Sequence, residues 1–108
     1  MDESVFQELA GDVFRAVGHA LENVDSDLVD YESTGDVVTL TLRRGQKCVV
    51  NTQRAARQIW LAVSAQAWHF SWDPSAQKWL DDRGRGDELL ATIASVVREA
   101  SGVDLVWP

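Results

Sequence analysis

Apolar residues recur at helical spacing from the start of the chain. Phe6, Leu9, Val13, Val17, Leu21 and Val24 form one stripe, the pattern of an amphipathic α-helix. Glu8, Asp12, Arg15, His19 and Glu22 fall on the opposite side, which predicts an anionic outer face. Ser4-Val5-Phe6-Gln7 has the spacing of a capping box, in which a hydroxyl and a Gln side chain satisfy free amides at a helix start.

Near residue 28 the period changes to two. Val29 and Tyr31 alternate with Asp30 and Glu32. After a turn at Thr34-Gly35-Asp36, Val38, Leu40 and Leu42 alternate with Val37, Thr39 and Thr41. Arg44-Gly45 turns the chain into a strand over Gln46–Asn51, with Cys48 and Val50 pointing the same way. Gln58–Val63, Ala67–Trp72 and Lys78–Asp81 read as three further strands. Asp87 is placed to cap a second helix that buries Leu89, Leu90, Ile93, Val97 and Ala100 and stops at Gly102. The tail, Val103 to Pro108, is apolar enough to pack back. The order predicts an α+β two-layer sandwich, two helices packed on one face of an antiparallel sheet of about six strands. The other face of the sheet then looks at solvent. No repeat or linker interrupts the pattern, so residues 1–108 read as a single domain.

The net charge of −7 sharpens this picture because it is unevenly placed. Residues 1–32 hold nine acids and one base, Arg15, whereas residues 33–108 hold eight acids and nine bases. Such a field repels nucleic acid and anionic membranes, and attracts cations or a basic protein surface. No stretch approaches the roughly 18 consecutive apolar residues of a membrane-spanning helix. The acidic start, Met1-Asp2-Glu3-Ser4, is unlike a basic targeting segment, which predicts a cytoplasmic protein. Cys48 is the only cysteine, too few thiols for a disulfide or an iron–sulfur ligand set.

Two constellations carry chemistry. The first is the carboxylate series Glu8, Asp12, Glu22, Asp25, Asp27, Asp30 and Glu32, with His19 one turn from Glu22. Hard cations prefer oxygen ligands, and retained waters suit iron(II), manganese or calcium better than zinc. No enclosing loop or cage is encoded, so binding is expected to be weak and exposed. Solvated surface charge is the simpler reading of the same residues. The second constellation follows from alternation: if Ile59 and Leu61 point inward, Gln58, Trp60 and Ala62 point outward beside Asn51 and Gln53. An outward Trp framed by amides suits a protein contact, although it can also serve to cover the sheet. No Ser/His/Asp order, phosphate-binding glycine loop or zinc-binding His pair is present, and an exposed ridge lacks the burial a general acid uses. The chain is not expected to be an enzyme.

The segment Asn51-Thr52-Gln53-Arg54-Ala55-Ala56-Arg57-Gln58-Ile59-Trp60-Leu61-Ala62 resembles the frataxin signature, matching it at Asn51, Gln53, Gln58, Ile59, Trp60 and Leu61. The resemblance extends to the acidic first helix and strand, Val38–Leu42 before a Gly turn, Trp68-His69-Phe70, Trp79, Asp82-Arg83 and the closing helix. Departures are Ala55 in place of the family's Pro, Ala65-Gln66-Ala67 in place of a small or Gly-rich turn, and Gly18-His19 where bacterial members often carry Glu. The resemblance implies a bacterial iron–sulfur cluster assembly role as an iron chaperone or iron-binding regulator. Iron(II) or iron(III) would bind weakly around Glu22, Asp25, Asp27, Asp30 and Glu32, with His19 as a further donor. It also implies docking of the acidic ridge on the cysteine desulfurase, and contact of Asn51, Gln53, Gln58 and Trp60 with the scaffold protein. The chain would hold no cluster itself, bind neither nucleic acid nor membrane, and be monomeric without metal. A competing reading is an acidic protein-interaction module, such as a nucleic-acid mimic, with no specific metal role.

Overall fold

In the computed structural model, which describes residues 1–107, the first helix, α1, spans Glu3–Leu21. Its cap is Asp2, whose carboxylate accepts from the Val5 amide at 2.9 Å. The capping box expected at Ser4 to Gln7 is therefore not the start signal, and Ser4 lies inside the helix. Asp caps as well as Ser, and its charge also favours the positive end of the helix dipole, so the helix begins earlier. Phe6, Ala10, Val13, Val17 and Leu21 are buried. Leu9 and Val24 sit half-buried at the margin, because Ala10 rather than Leu9 faces the sheet squarely.

Six strands follow: β1 (Val29–Thr34), β2 (Val37–Leu42), β3 (Lys47–Gln53), β4 (Gln58–Val63), β5 (Gln66–Asp73) and β6 (Lys78–Asp81). They form one antiparallel sheet in sequence order. β3 starts one residue later than the expected Gln46 and runs past Asn51, since Thr52 and Gln53 pair with Ile59 and Gln58. Strand alternation sends Val38, Leu40, Leu42, Cys48, Val50, Ile59, Leu61, Val63, Trp68, Phe70 and Trp79 to one face, where all are buried. Both helices contribute to the same core cluster, so both cover that face. Phe6 meets Trp79 edge-on at 5.9 Å, tying α1 to the far edge of the sheet. Such a pair contributes about 0.5–1.5 kcal/mol beyond its buried area. Cys48 is fully enclosed, and burial pushes its thiol up to about 12, so it packs as a small apolar residue.

The second helix, α2 (Leu89–Ser101), is capped by Glu88, which accepts from the Leu90 and Ala91 amides. Asp87, the expected cap, instead accepts from the Trp68 indole at 3.1 Å. The reason is tertiary: a buried indole N–H needs an acceptor, and Asp87 supplies it. Leu89, Ile93, Val97 and Ser101 are buried, with Leu90 and Ala100 half-buried beside them. Gly102 ends the helix at φ 75°, a conformation that suits glycine. Val103, Leu105 and Trp107 pack back on the core while Val106 is exposed, and Pro108 lies outside the described residues. Among the described residues no helix is long and apolar enough to cross a membrane.

Asp81 is a buried carboxylate held by Arg85 through two hydrogen bonds, 2.8 and 3.0 Å. Those hydrogen bonds hold its carboxyl below the ordinary 3.8, outweighing the opposing effect of burial. Its contribution to stability is therefore complete above the ordinary value and is lost as pH falls through the lowered one. Asp81→Asn is expected to lower the melting temperature by a constant amount at neutral pH, with the gap from wild type closing in strong acid. A gap that stays constant into strong acid would contradict the pairing.

The loop between β3 and β4 is a turn closed by the Arg57 amide on the Arg54 carbonyl at 3.1 Å, with Ala55 in its second position. Proline pre-sets the backbone angle for that position. Ala55→Pro is expected to stabilise the fold by about 0.4–1 kcal/mol through a less flexible unfolded chain. Urea denaturation reads this directly, and a loss of stability would show that the turn rejects the ring.

Candidate functional site

The acidic edge forms where α1 ends and β1 begins. Arg15, the only base in the first 32 residues, is already engaged by Asp12. Glu22 follows the last turn of α1, with its carboxylate 3.4 Å from His19 Nδ1, an ion pair when the imidazole is protonated. Asp25 shapes the connection: its side chain accepts from the Asp27 amide at 2.9 Å, and its carbonyl accepts from Leu28 and Val29. Asp27 is exposed beside it.

β1 then carries the charge around the corner. Asp30 and Glu32 stand on the open side of the sheet, opposite Thr41 and Thr39. Tyr31 points the other way and rests on α1 at Gly18, where a Cβ would stand 3.2 Å from the phenol oxygen. The six residues expected around iron are thus all exposed but divided between two faces. His19, Glu22, Asp25 and Asp27 gather at the helix end, and Asp30 and Glu32 lie on the open side. Among the described residues no three His, Cys, Asp or Glu side chains converge into a group that holds a metal ion. An ion at this edge would meet one or two carboxylates and keep the rest of its shell as water.

The open face has its own ordered patch. Val37, Asn51, Trp60 and His69 fall in one row across β2 to β5. Gln53 and Gln58 are paired in the next row. Trp60 is half-buried and stacks on His69, with ring centroids 4.1 Å apart and an interplanar angle of 16°. Its indole donates to Gln58 Oε1 at 3.0 Å, and Gln58 Nε2 donates to Ser71 and Asp82 at 3.0 and 3.1 Å. Asp82 also lies 3.8 Å from His69 Nδ1. Asn51, Gln53, Gln58 and Trp60 are therefore brought together on the open side.

His69 and Asp82 join this patch although neither stood out as a contact residue. One signal for His69 was available: a two-residue turn at Ser64-Ala65 pairs Val63 with Gln66, and counting back places His69 opposite Trp60. Asp82 arrives from the loop after β6, which no local pattern predicts. Fixed hydrogen bonds give the indole a set orientation, and an aromatic ring held in place costs little entropy when another surface covers it.

The comparisons with known proteins agree with this architecture. A family model described as the frataxin-like domain matches residues 1–103. The iron-sulfur cluster assembly protein CyaY of Tolumonas auensis is 35% identical over 102 residues, 94% of each chain. Its namesake in Azotobacter vinelandii is 32% identical over 108 residues, 100% of this chain and 96% of its own. Frataxin from Psychromonas ingrahamii superposes with a TM-score of 0.86 at 30% identity, covering 97% of this chain and 96% of that one. Trimeric frataxin from Saccharomyces cerevisiae, solved as a ferrous complex, gives a TM-score of 0.74 at 25% identity, covering 88% and 87%. Sequence and fold thus match over nearly the whole chain, and the chain belongs to the frataxin family as one of its bacterial members.

Proposed function

We propose that this chain serves iron–sulfur cluster assembly without catalysing a step of its own, binding iron weakly and docking on the cysteine desulfurase through its acidic edge. The observation that carries this reading is where the carboxylates stand. Glu22, Asp25 and Asp27 crowd the C-terminal end of α1, the negative end of the helix dipole, where acids weaken a helix. Asp25 has a local role in shaping the turn, but local stability does not explain Glu22 and Asp27, whereas attraction of cations or of a basic protein surface does. The names of the bacterial relatives support the assembly role, and the ferrous complex of the yeast relative supports iron as the cation.

Iron here is cargo or signal. Exposed carboxylates acting singly or in pairs bind and release an ion quickly, which suits delivery or sensing and disfavours storage in a cage. The same charges steer a basic groove into place, so the complex with the desulfurase is sensitive to salt. The Trp60 patch offers a second surface, with a pre-oriented ring at its centre, for the scaffold protein.

Neutralising Glu22, Asp30 and Glu32 together (Glu22→Gln, Asp30→Asn, Glu32→Gln) is expected to weaken desulfurase binding about tenfold at low salt, since each exposed pair contributes about 0.2–1 kcal/mol. The variant is also expected to lose the cobalt(II)-induced NMR broadening of the edge amides. Calorimetry at two salt concentrations reads the first effect, and unchanged affinity with unchanged salt dependence would refute the docking mode. Trp60→Ala is expected to leave the amide spectrum native outside the patch and to weaken scaffold-protein binding. Wild-type affinity for the scaffold in that variant would remove the second surface from the proposal.

A further inference from the structure

The two edges of the sheet are finished differently. β6 is short, and Leu80 forms a bridge outward to Glu88 ahead of α2. β1 has β2 on one side and no strand on the other among the described residues. Which of its backbone groups face outward follows from the hairpin. Gly35-Asp36 is a two-residue turn, so the closing pair Thr34–Val37 is hydrogen-bonded and the pairs alternate from there. Glu32 and Asp30 therefore bond to β2, while Ser33, Tyr31 and Val29 turn their amides and carbonyls outward. Val29 agrees with this phase, because its N–H leaves the sheet for the Asp25 carbonyl at 3.1 Å. Among the described residues Tyr31 and Ser33 are left with no backbone partner on that side.

Natural sheets blunt such edges with charge, and here the charge is of one sign. A second copy of this chain aligned on β1 would set Asp30 and Glu32 against their own kind, and like charges across a strand pair are destabilising. The same carboxylates, with Glu22, Asp25 and Asp27 at the start of the strand, attract lysine and arginine. On the inner side the Tyr31 ring is partly open to solvent. It is 38% exposed and rests on α1 at Gly18, so it offers an added strand one apolar ring.

We propose that β1 is a strand-addition site for an extended basic segment of a partner protein. Backbone hydrogen bonds to Tyr31 and Ser33 would set the register, and Asp30 and Glu32 would select basic side chains on the open side. This rests on the docking reading above and specifies how the partner engages.

The test uses an end-blocked eight-residue peptide alternating lysine and threonine, and separately the purified cysteine desulfurase. With either ligand, hydrogen exchange at the Tyr31 and Ser33 amides is expected to slow at least tenfold, with β6 amides unchanged. Ser33→Pro removes the outward donor and leaves the β2 ladder intact, a change edge strands tolerate. It is expected to weaken peptide binding at least tenfold, whereas Ser33→Thr keeps the donor and binds as wild type. If Ser33→Pro does not fold, the exchange measurement on the wild-type chain decides alone. A bound ligand that leaves Tyr31 and Ser33 exchanging as in the free chain overturns strand addition and leaves charge-driven docking standing. Absence of desulfurase binding overturns the docking reading, and the peptide then judges the edge by itself. Slowed exchange in a concentrated sample without ligand would identify a second copy as the occupant and overturn the proposal as well.

Discussion

One-sided coverage of the sheet is the constraint on which the rest of the structure depends. Two helices are enough to bury one face of six strands, so alternation divides each strand into residues that must be apolar and residues that need not be. The buried set, from Val38 to Trp79, holds the fold. The other set is released from packing, which leaves Trp60, His69, Gln58, Asn51 and Gln53 free to build a surface with its own hydrogen bonds. A single-residue slip in register would exchange the two sets.

The acidic edge follows a different logic, because there the charges oppose local stability. α1 closes with Glu22 and meets Asp25 and Asp27 directly afterwards, against the helix dipole. Asp25 partly offsets this by accepting backbone hydrogen bonds that shape the connection into β1. Asp30 and Glu32 then stand on β1, whose outer edge has no second strand among the described residues, and their like charges disfavour pairing with another copy there. In the proposed docking mode the same two carboxylates would both disfavour the wrong partner and attract the right one.

The departures from the family pattern acquire physical meaning in this frame. A glycine inside a helix costs about 0.5–1 kcal/mol relative to alanine, yet Gly18 lets the Tyr31 ring lie on the helix, where a Cβ would crowd its oxygen at 3.2 Å. Phenol and helix thus approach more closely than a larger residue would allow. His19 replaces a permanent negative charge with a group that neighbours Glu22 at 3.4 Å. The ridge is less anionic there than a second glutamate would make it. Ala55 leaves its turn to be held by the Arg54–Arg57 hydrogen bond without help from a proline ring.

Periodicity by itself determined the element order, the six strands and the two-layer arrangement, because burial of one face imposes a repeat that is visible in one dimension. The outward position of Trp60 and the acidic character of α1 and β1 were legible for the same reason. The helix caps were not: Asp2 and Glu88 displaced Ser4 and Asp87 because capping depends on which neighbouring group claims each side chain, and Asp87 was claimed by Trp68. Only the folded chain brought Asp82 to the Trp60–His69 pair, and only it split the carboxylates between the helix end and the open face. Those are distances between residues far apart in sequence, set by strand register and loop path, and a pattern of residue types carries no information about them until the chain is closed in space.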